Sequence, residues 1–433
     1  MTVALIGFAC LLVLCFLGFP LGFSTLLTGL VGFAAMRGWD WHAAVTMMAQ
    51  QIVDTGANYG LSVIPLFLLM GVFIHRANIS QDLFDASNAL VGRFRGGLAQ
   101  STVLACAGFA AVSGSSLATA ATMTKVAMPH MRRYGYDDTL SAGVIAAGGT
   151  LGIMIPPSVP LVIYGLVAEQ DIGRLFIAGF APGLLLVALY MAAVLVVVRM
   201  RPALGPAGAA VPRAERFRTY LNVWPVLLLF VLVLGGIYFG VFTPTEASGI
   251  GATGAAAFAW WRGRLRTFAQ LYEMLLEACR ITAALFIVIF GAQVFSNFIN
   301  LSGLPNALVD MIDAMHLSPA GTVFAVCLIC IVMGMIFEAI GILLLIVPVF
   351  LPILVYQDVN LIWFGIVMVI VVELGLVTPP IGMNVFTVRA MMPDIRLSKI
   401  FRGVMPFVVA DLVALALLFA FPAIATWLPS VKW

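Results

Sequence analysis

The sequence predicts an all-α polytopic membrane protein made of an inverted repeat of two five-helix halves. Composition indicates the class: charged residues form 9% of the 433 residues, against roughly 25% in soluble proteins, and the mean hydropathy is +1.11. A motif indicates the repeat, since LGIMIPP at 151–157 returns as LGLVTPP at 374–380. The positions of arginine and lysine indicate the inversion, because they agree with one cytoplasmic side only when the halves insert in opposite senses.

About 20 apolar residues cross the hydrocarbon core of a bilayer, and the chain divides on that basis. The first repeat is 1–200, with scaffold helices at 1–36, an amphipathic arm at 39–58, a helix at 60–76, a re-entrant hairpin at 98–128, a broken helix at 139–165 and a helix at 175–199. A connector rich in Pro, Gly and Arg occupies 201–218. The second repeat is 219–433, with helices at 222–242, 246–261 and 281–300, an arm at 265–280, a hairpin at 321–354, a broken helix at 361–388 and a helix at 403–427.

The first apolar segment, 3–19, is predicted to be a retained membrane helix. It has no basic region before it and no small-residue cleavage site, so it lacks the pattern of a removed signal peptide. The arms at 39–58 and 265–280 mix charged with apolar residues. We therefore expect both arms to lie in the membrane interface.

Each copy of the repeated motif interrupts an apolar segment with two consecutive prolines. Proline has no backbone N–H and ends a helix, so carbonyl groups at membrane depth stay unpaired unless something polar, such as an ion, uses them. Two broken helices in matching positions are typical of secondary transporters. The 223-residue spacing is shared by Pro129 and Pro352, Asp171 and Asp394, Ile172 and Ile395 and, after one inserted residue, by Gly179 and Gly403, Pro182 and Pro406.

Loop charges predict the orientation. The connector is predicted to be cytoplasmic because of Arg199, Arg201, Arg213, Arg216 and Arg218. The remaining basic clusters reach the same side only if both hairpins enter and leave on one face; they are Arg76, Arg93, Arg95, Arg132, Arg133, Arg262, Arg264, Arg266, Arg389, Arg396, Lys399 and Arg402. Each half then has five crossings, so the halves are inverted, the acidic loop at Asp310 and Asp313 lies outside, and both termini are predicted to be periplasmic.

The hairpin tips carry polar residues at membrane depth. The first tip is SGSSLATAATM at 113–123, and its small and hydroxyl residues predict either close helix packing or an ion or substrate site facing the first break. The second tip contains Glu338, which the 223-residue offset aligns with Ser115. A carboxylate at mid-membrane costs roughly 2.5–3.5 kcal/mol on insertion scales. We expect a cation to satisfy it or, as the alternative, the free amides of the tip helix.

Other kinds of chemistry lack the residues that they need. Cys327 and Cys330 form a CxxC without a second pair or nearby histidines, so no zinc or redox role is expected, and the four histidines are isolated. No cluster of His, Cys or carboxylate residues suggests a membrane enzyme. The net charge of +3 gives no support for nucleic-acid binding. A passive channel is disfavoured because it needs no pair of ion-coupled hairpins.

Four motifs together carry a family resemblance: SGSSLATAATM, GGTLGIMIPPS, FTPTEASGIG at 242–251 and ELGLVTPPIGMNVF at 373–386. In this order, and along essentially the whole chain, the sequence resembles the DctM-like large membrane subunit of tripartite ATP-independent periplasmic (TRAP) transporters. The resemblance implies sodium-driven uptake of a carboxylate-bearing organic solute by an elevator-type movement in the bacterial cell inner membrane. It also implies two separate partners, a small four-helix DctQ-like membrane subunit and a DctP-like periplasmic solute-binding protein.

The resemblance and the broken helices together predict two sodium sites. Hard cations prefer oxygen ligands, and each break offers free carbonyl groups close to a hairpin tip. The first site is predicted to contain Ser113, Ser115, Gly152, Ile155 and Pro157. The second is predicted to contain Gly334, Glu338, Gly375, Thr378 and Ile381.

A carboxylate site is expected between the two breaks. The hairpin tips and the restarting half-helices present amide ends, which attract anions. The predicted substrate contacts are Ser115, Ser116, Ser158, Thr378 and Asn384, and for Asn384 an interhelical hydrogen bond is the alternative. No arginine is expected inside the membrane beside the breaks, which leaves Lys125 as the nearest basic candidate, with a location at the membrane face as the alternative.

The repeat also predicts which parts move. Residues 98–199 and 321–427 would form the moving domain, and the first two helices of each half, with the arms, would form the scaffold. The main alternative function is a sodium-coupled carboxylate or ion exchanger of similar architecture that works without a binding protein. Transport in the absence of any soluble partner would favour that alternative.

Overall fold

The structure is a computed structural model that describes residues 2–208 and 212–431. Within these ranges the fold is helical, apart from an isolated β-bridge between Arg95 and Ala207. The first repeat comprises α1 Thr2–Phe16, α2 Leu21–Met36, α3 Trp41–Gly56, α4 Val63–Arg76, α5 Ile79–Val91, α6 Gly97–Ser113, α7 Ser116–Arg133, α8 Asp138–Met154, α9 Val159–Val167 and α10 Ile172–Met200. The second comprises α11 Arg213–Tyr238, α12 Pro244–Trp261, α13 Phe268–Leu301, α14 Leu304–Ala314, α15 Pro319–Gly334, α16 Ala339–Tyr356, α17 Leu361–Val377, α18 Met383–Met391, α19 Leu397–Ala420 and α20 Ala423–Ser430.

The helices of the two halves follow one order and one offset. A shift of 223 residues carries α7 onto the bounds of α16 and α8 onto the bounds of α17, and it brings α6, α9 and α10 within a few residues of α15, α18 and α19. The helix starts agree as well, because Asp137 caps α8 and its equivalent Asn360 caps α17. The predicted all-helical repeat is therefore confirmed.

Local sequence explains several helix boundaries. Thr243 and Glu246 form a capping box at the start of α12, with Pro244 in the first turn, so the FTPTEASG motif begins a helix. Thr267 and Gln270 form a second capping box at the start of α13. The left-handed conformation of Gly114, with φ +59°, ends α6 and lets the chain reverse into α7.

Six described helical segments are long and apolar enough to cross a membrane. They are Tyr59–Arg76, which includes α4, Thr219–Tyr238, which lies within α11, and the helices α10, α13, α16 and α19. Helices α8 and α9 add a seventh span if they count as one, and they meet at 43° across the first proline pair. Helices α1, α2, α6, α15 and α17 are apolar but shorter, at 15 to 17 residues. The five crossings for each half stay a prediction from loop charge.

The structure differs from the expected helix positions in four places. The arm at 265–280 and the helix at 281–300 form one continuous 34-residue helix, α13. Short helices α5 and α14 follow the third apolar segment of each half, where no helix was predicted. The chain was divided by its apolar segments, and these two helices are amphipathic. Helix α11 begins directly after Pro212, inside the expected connector, because proline is well tolerated at a helix start; residues 209–211 of that connector lie outside the described ranges. The segment 403–427 is divided between α19 and α20 near Pro422.

The packing exchanges helices between the repeats. Helix α2 packs against α13 of the other half, and the equivalent α12 packs against α4. Each hairpin packs against the broken helix of its own repeat, α6 and α7 against α8, and α15 and α16 against α17. The restarted half-helices cross over, α9 to α16 and α18 to α7. A hairpin tip of one repeat therefore lies close to the break of each repeat.

Candidate functional site

The two proline breaks have the same backbone geometry. Ile155 and Thr378, equivalent by the 223-residue offset, end α8 and α17 with extended backbone, φ −77° and ψ 121° in one, φ −89° and ψ 139° in the other. The Pro156–Pro157 and Pro379–Pro380 peptide bonds are both cis. The first break is buried throughout 151–165, whereas Pro379 and Pro380 are exposed. The same motif thus has different access to its surroundings in the two repeats.

The prolines explain why carbonyl oxygens are available at each break. In a helix the carbonyl of one residue accepts the N–H four residues later, and proline has none. Pro156 and Pro157 stand four residues after Gly152 and Ile153, and Pro379 and Pro380 stand four residues after Gly375 and Leu376. Some of these carbonyls find substitutes: the Ser158 hydroxyl donates to the Ile153 oxygen, and the Thr378 N–H donates to the Gly375 oxygen over 3.2 Å.

Residues of the first predicted sodium site lie together. The Ser113 and Thr119 hydroxyl oxygens are 2.8 Å apart, and the Thr119 hydroxyl donates to the Ser115 carbonyl oxygen over 2.7 Å. Gly152 approaches this group so closely that an added Cβ would lie 2.6 Å from the Ser115 carbonyl oxygen. A Cβ on Gly114 would lie 3.3 Å from the Pro157 carbonyl oxygen. Hairpin tip and break therefore bring hydroxyl and carbonyl oxygens together, which fits a sodium ion.

Residues of the second predicted site are brought together in part. Gly334 of hairpin two faces Gly375 of α17, where an added Cβ would lie 2.6 Å from the Gly334 Cα. The Thr378 hydroxyl donates to the Leu374 carbonyl oxygen over 2.5 Å, and Ile381 is half-buried. Glu338 is half-buried, and as the N-cap of α16 its side chain makes no capping hydrogen bond. The capping alternative for Glu338 therefore has no support in the contacts.

A cavity of about 900 Å³ lies between the hairpin tips and helices α2, α4 and α13. Four helix N-termini contribute to its wall: α2 through Pro20–Phe23, α7 through Ser115–Ala118, α9 through Val159 and Pro160, and α16 through Glu338, Ala339 and Ile340. The first amides of a helix have no partner within the helix, and the helix dipole places a positive partial charge there. The cavity wall is therefore suited to an anion.

Charged side chains reinforce that polarity. Lys125 of α7 and Arg280 of α13 are exposed and both line the cavity. Within 2–208 and 212–431 no ion pair involves either of them. Glu277 also lines the cavity, but it is held by Arg76, with 2.6 Å between Arg76 Nη2 and Glu277 Oε2. Glu338 is the other carboxylate of the wall, so Lys125 and Arg280 leave the cavity with a net positive charge.

Arg280 is the candidate that sequence reasoning missed. No arginine was expected inside the membrane beside the breaks. Arg280 was predicted to be the last residue of the arm at 265–280, in the membrane interface. Because that arm continues into the crossing helix, α13 carries Arg280 to the cavity wall instead. The signal available in the sequence was the lack of any Gly or Pro between residues 268 and 290, which permits one unbroken helix.

The predicted substrate residues divide into two groups. Ser115 and Ser116 line the cavity. Ser158 is fully buried and caps α9, and Asn384 is fully buried with its Nδ2 donating to the Ala146 carbonyl oxygen over 3.1 Å. That contact is the interhelical hydrogen bond offered as the alternative for Asn384. Thr378 is half-buried at the second break and is absent from the residues that line the cavity.

Comparison with known proteins agrees with this architecture. The sequence matches the family described as "Tripartite ATP-independent periplasmic transporter, DctM component" over residues 8–424. It is 36% identical over 387 residues to the C4-dicarboxylate TRAP transporter large permease protein DctM of Pseudomonas aeruginosa, covering 89% of this chain and 90% of that protein. It is 32% identical over 436 residues to the 2,3-diketo-L-gulonate large permease YiaN of Escherichia coli, covering 99% of each.

Further similarities concern a third relative and a solved structure. The ectoine TRAP transporter large permease TeaC of Halomonas elongata is 31% identical over 413 residues, covering 95% of each protein. The crystal structure of the Alcanivorax borkumensis YdaH transporter superposes with a TM-score of 0.67 at 14% identity, covering 89% of this chain and 90% of that one. At that identity the likeness is one of fold alone.

A helical membrane fold with two broken helices in matching positions is typical of a membrane transport protein, and the relatives are named as transporter permeases rather than enzymes. Together with the match over residues 8–424, this shows that the chain belongs to the DctM component family of tripartite ATP-independent periplasmic transporters. It is a large permease subunit, a multi-pass protein of the inner membrane. Large permeases of this family work with a small permease subunit and a periplasmic binding protein. The resemblance carried by the four motifs is thereby confirmed.

Proposed function

We propose that this subunit takes up a carboxylate-bearing organic solute together with sodium ions, after a periplasmic binding protein has delivered the solute. The observation that supports this most is the cavity whose wall combines four helix N-termini with Lys125 and Arg280. The relatives are named for different solutes, among them C4-dicarboxylate, sialic acid and ectoine. The identity of the solute is therefore left open within the class of organic acids.

The solute carboxylate would bind at the hairpin-one side of the cavity. There the first amides of α7 and the hydroxyls of Ser115 and Ser116 can donate hydrogen bonds to it. Arg280 approaches from the scaffold helix α13 and can form a bidentate pair with a carboxylate. Lys125 supplies a point charge from the third turn of α7. Recognition would then combine groups of the hairpin with groups of the scaffold.

Sodium enters the proposal as a co-transported ion. The first site would use the carbonyl oxygens of Gly152, Ile155 and Pro157 with the oxygens of Ser113 and Ser115. The hydrogen bonds within the hairpin tip, and the close approach of the tip to the first break, support this set. A hard cation there would satisfy carbonyl groups that the proline pair leaves without helical partners.

The second sodium site would use the equivalent positions of the other repeat, Gly334, Gly375, Thr378 and Ile381. The close approach of Gly334 to Gly375 supports it. Glu338 would contribute a carboxylate oxygen from the hairpin tip. Because Glu338 also borders the cavity, it would place the second ion beside the bound solute.

Movement in this proposal is of the elevator type. Residues 98–199 and 321–427 would move as one body against a scaffold of the first two helices of each half and the arms. The packing of α4 against α12 and α13 adds α4 to that scaffold. The location of the cavity on the boundary between these two groups of helices supports that division. The orientation with both termini periplasmic belongs to the same proposal, since it rests on loop charge alone.

Uptake by reconstituted protein tests the proposal. The large subunit would be reconstituted with its small subunit in liposomes, and its binding protein would be supplied outside with radiolabelled succinate, N-acetylneuraminate or ectoine. We expect accumulation of one of these acids only with an inward sodium gradient and only with the binding protein present. Accumulation without the binding protein would instead favour the independent exchanger, and accumulation without a sodium gradient would contradict the coupling.

A charge-removing variant tests the carboxylate site itself. Arg280→Gln should raise the KM for the transported acid by about ten- to a hundredfold, since a charge-assisted hydrogen bond contributes roughly 1.5–3 kcal/mol. The matched control is Arg264→Gln, which removes an exposed arginine outside the cavity. Equal KM values for Arg280→Gln and the control would remove Arg280 from the site.

A further inference from the structure

A second and smaller cavity of about 200 Å³ lies beside the arm helix α3. This arm cavity is walled by the arm and the turn that follows it, by α13, and by α9 and α16 of the proposed moving domain. The polar residues of its wall are Gln51, Asp54, Thr55, Asn58 and Gln293, and the others are apolar. Gln51, Asp54 and Thr55 stand three and four residues apart, so they share one face of α3. The arm thus presents a row of polar groups to the cavity.

The arm cavity is negatively charged. Asp54 is an exposed carboxylate, and none of the described residues in the wall is basic. Across 2–208 and 212–431 no ion pair involves Asp54. Asp54 also lies two residues before the end of α3, where the helix dipole is negative and where the last turn contains no basic residue. Helix α9 ends at the same cavity, with Leu166 and Val167 in the wall. A cation is therefore the ligand that this wall favours.

Thr55 supplies a buried hydroxyl without a partner. It is 8% exposed and belongs to the wall of the arm cavity. A threonine inside a helix commonly donates to the carbonyl four residues earlier, as Thr124 does to Ala120 over 2.7 Å. In the described part of the chain the Thr55 hydroxyl makes no such hydrogen bond and no other. Because an unsatisfied buried polar group is costly, this oxygen favours a ligand in the cavity.

Carboxamide groups join the two polar walls. Asn297 Nδ2 of α13 donates to Gln51 Oε1 of the arm over 2.8 Å and to the Gln293 carbonyl oxygen over 3.2 Å. These bonds hold the arm against α13. The side-chain carboxamide of Gln293 has no hydrogen bond among the described residues, so its oxygen is available as well. Asp54, Thr55 and Gln293 therefore bring carboxylate, hydroxyl and amide oxygens to one small cavity.

The repeat relates the arm cavity to the cavity of about 900 Å³. Under the 223-residue offset four positions of the two walls are equivalent: Asp54 with Glu277, Asn58 with Ile281, Leu61 with Ala284, and Leu344 with Ala121. The two cavities are thus built from corresponding parts of opposite repeats. Each lies between an arm and a hairpin helix.

The charges at equivalent positions are opposite in their effect. Glu277 is neutralised by Arg76, whose equivalent is Ile299, so Asp54 has no such partner. Arg280 lines the larger cavity, and its equivalent in the arm is Ala57. The larger cavity therefore has the wall of an anion site, and the arm cavity has that of a cation site.

The ligand set favours a monovalent metal ion. Carboxylate, hydroxyl and amide oxygens are ligands for hard cations, and calcium sites usually combine several carboxylates among six to eight oxygens. The arm cavity has one carboxylate. A volume of about 200 Å³ leaves room for a small ion that keeps several water ligands.

We propose that the arm cavity is a sodium site, with Asp54, Thr55 and Gln293 as its protein ligands. None of these residues belongs to the two sodium sites predicted at the breaks. The inference goes beyond the proposed uptake function and does not depend on it. An ion in the arm cavity would contact the arm and α13 while lying against α9 and α16, and would so stabilise the present arrangement of these helices.

Thermal unfolding of the purified complex of large and small subunits tests the site. Sodium chloride would replace choline chloride at constant ionic strength, so that a rise in Tm reports ion binding rather than screening. The slope of Tm against the logarithm of sodium concentration grows with the number of ions bound to the folded protein. We expect Asp54→Asn to lose part of that slope and Thr55→Val to need several-fold more sodium for the same rise. Each variant is compared with itself in choline, so a lower starting Tm has no effect.

Two further variants make the comparison specific. Glu273→Gln removes an exposed carboxylate of α13 that lines neither cavity, and it should respond to sodium as wild type does. In a Glu338→Gln background, Asp54→Asn should cause the same further loss of slope as it does alone, because independent sites contribute additively.

Three results would overturn the proposal. The first is an equal sodium response in Asp54→Asn and Glu273→Gln. The second is the absence of any further loss when Asp54→Asn is added to Glu338→Gln, which would mean that Asp54 acts through the second break. The third is stabilisation by calcium chloride without stabilisation by sodium chloride. No uptake is measured, so failure here leaves the proposed solute transport standing, and loss of sodium coupling in uptake would leave this site to be judged by Tm alone.

Discussion

Ser115 and Glu338 occupy the same position at the tips of the two hairpins, and both line one cavity. Ser115 uses its side chain to cap its helix, accepting from the Ala118 N–H over 3.4 Å. Glu338 makes no such bond. The two repeats therefore share a backbone plan but present different chemistry to the cavity, a hydroxyl on one side and a carboxylate on the other. The repeats are therefore chemically distinct at the cavity.

Replacing Glu338 tests whether its carboxylate serves the second sodium site. Glu338→Gln should weaken the apparent sodium affinity of uptake by on the order of tenfold, or about 1.4 kcal/mol, because one charged oxygen ligand becomes neutral. Glu169→Gln, an exposed loop carboxylate, is the control and should behave as wild type. If the carboxylate served only the fold, the variant would lower Tm while its sodium affinity stayed the same.

Glycine at 375 is expected to be essential for the closure of hairpin two. In Gly375→Ala the new methyl group would meet Gly334 Cα at 2.6 Å, so the hairpin must move, at a cost of about 1–3 kcal/mol. Thermal unfolding of the detergent-solubilised protein should show a lower Tm, and sodium-driven uptake should fall with it. Gly249→Ala is the control, because nothing lies within 4 Å of its new Cβ and alanine favours the helix by up to ~1 kcal/mol. Equal Tm values for the two variants would contradict the contact.

The hydroxyl of Thr378 is predicted to matter for coupling. Thr378→Val keeps the shape of the side chain but removes a polar oxygen at the second break. With two sodium sites the dependence of uptake on sodium concentration should be steep, and in this variant it should flatten. Thr387→Val is a close control, since the Thr387 hydroxyl likewise donates to the carbonyl four residues earlier, at 2.9 Å, but belongs to α18. An unchanged dependence in Thr378→Val would remove Thr378 from the site.

An ion pair at the ends of the helices should respond to pH. Arg132 Nη2 lies 2.5 Å from Asp394 Oδ2, and Arg132 also bonds Asp138 at the start of α8. The hydrogen bond from Arg132 lowers the pKa of Asp394. A lowered pKa in the folded protein means that the stabilisation is present above the pKa of the unfolded chain, about 3.9, and is lost as the pH falls through the folded value.

The Asp394→Asn variant checks that direction. We expect its Tm to lie slightly below that of wild type at neutral pH and the two Tm values to converge as the pH is lowered below about 4. The effect should be small and should shrink further in high salt, because the pair is exposed. In Arg132→Gln the further change Asp394→Asn should have little effect. A difference that grows on acidification would contradict the assigned pair.

The broken helices were predictable because their cause is local. Proline pairs remove N–H donors wherever they stand, and the 223-residue offset of Pro157 and Pro380 is visible without any fold. The hairpin tip around Ser113 and Ser115 was predictable for a similar reason, as small residues at membrane depth need a special environment. The breaks and the hairpin tip can be predicted from a few neighbouring residues and from the 223-residue offset.

The cavity wall was harder to predict, because it depends on the path of distant helices. Arg280 reaches the cavity only because α13 is continuous across the end of the arm, and nothing in the charges of residues 265–280 reveals that. Glu373 was visible within its motif, but the structure buries it and leaves both of its carboxylate oxygens without a hydrogen-bond partner, which depends on the helices packed around it. Ser158 and Asn384 were expected to face the substrate, and whether they do stays a prediction; both are buried beside the breaks.

The exchange of helices between the repeats has a consequence for synthesis of the protein in the membrane. Gly29 of α2 meets α13 so closely that an added Cβ would lie 2.7 Å from the Phe295 nitrogen, and α13 leaves the ribosome only after more than half of the chain. Until then the small-residue face of α2 has lipid as its neighbour. The same holds for α4, whose partner α12 also belongs to the second half. The first half is therefore inserted before its packing partners are synthesised. A nascent chain arrested at the connector would expose the unpaired faces of α2 and α4 to insertases or proteases.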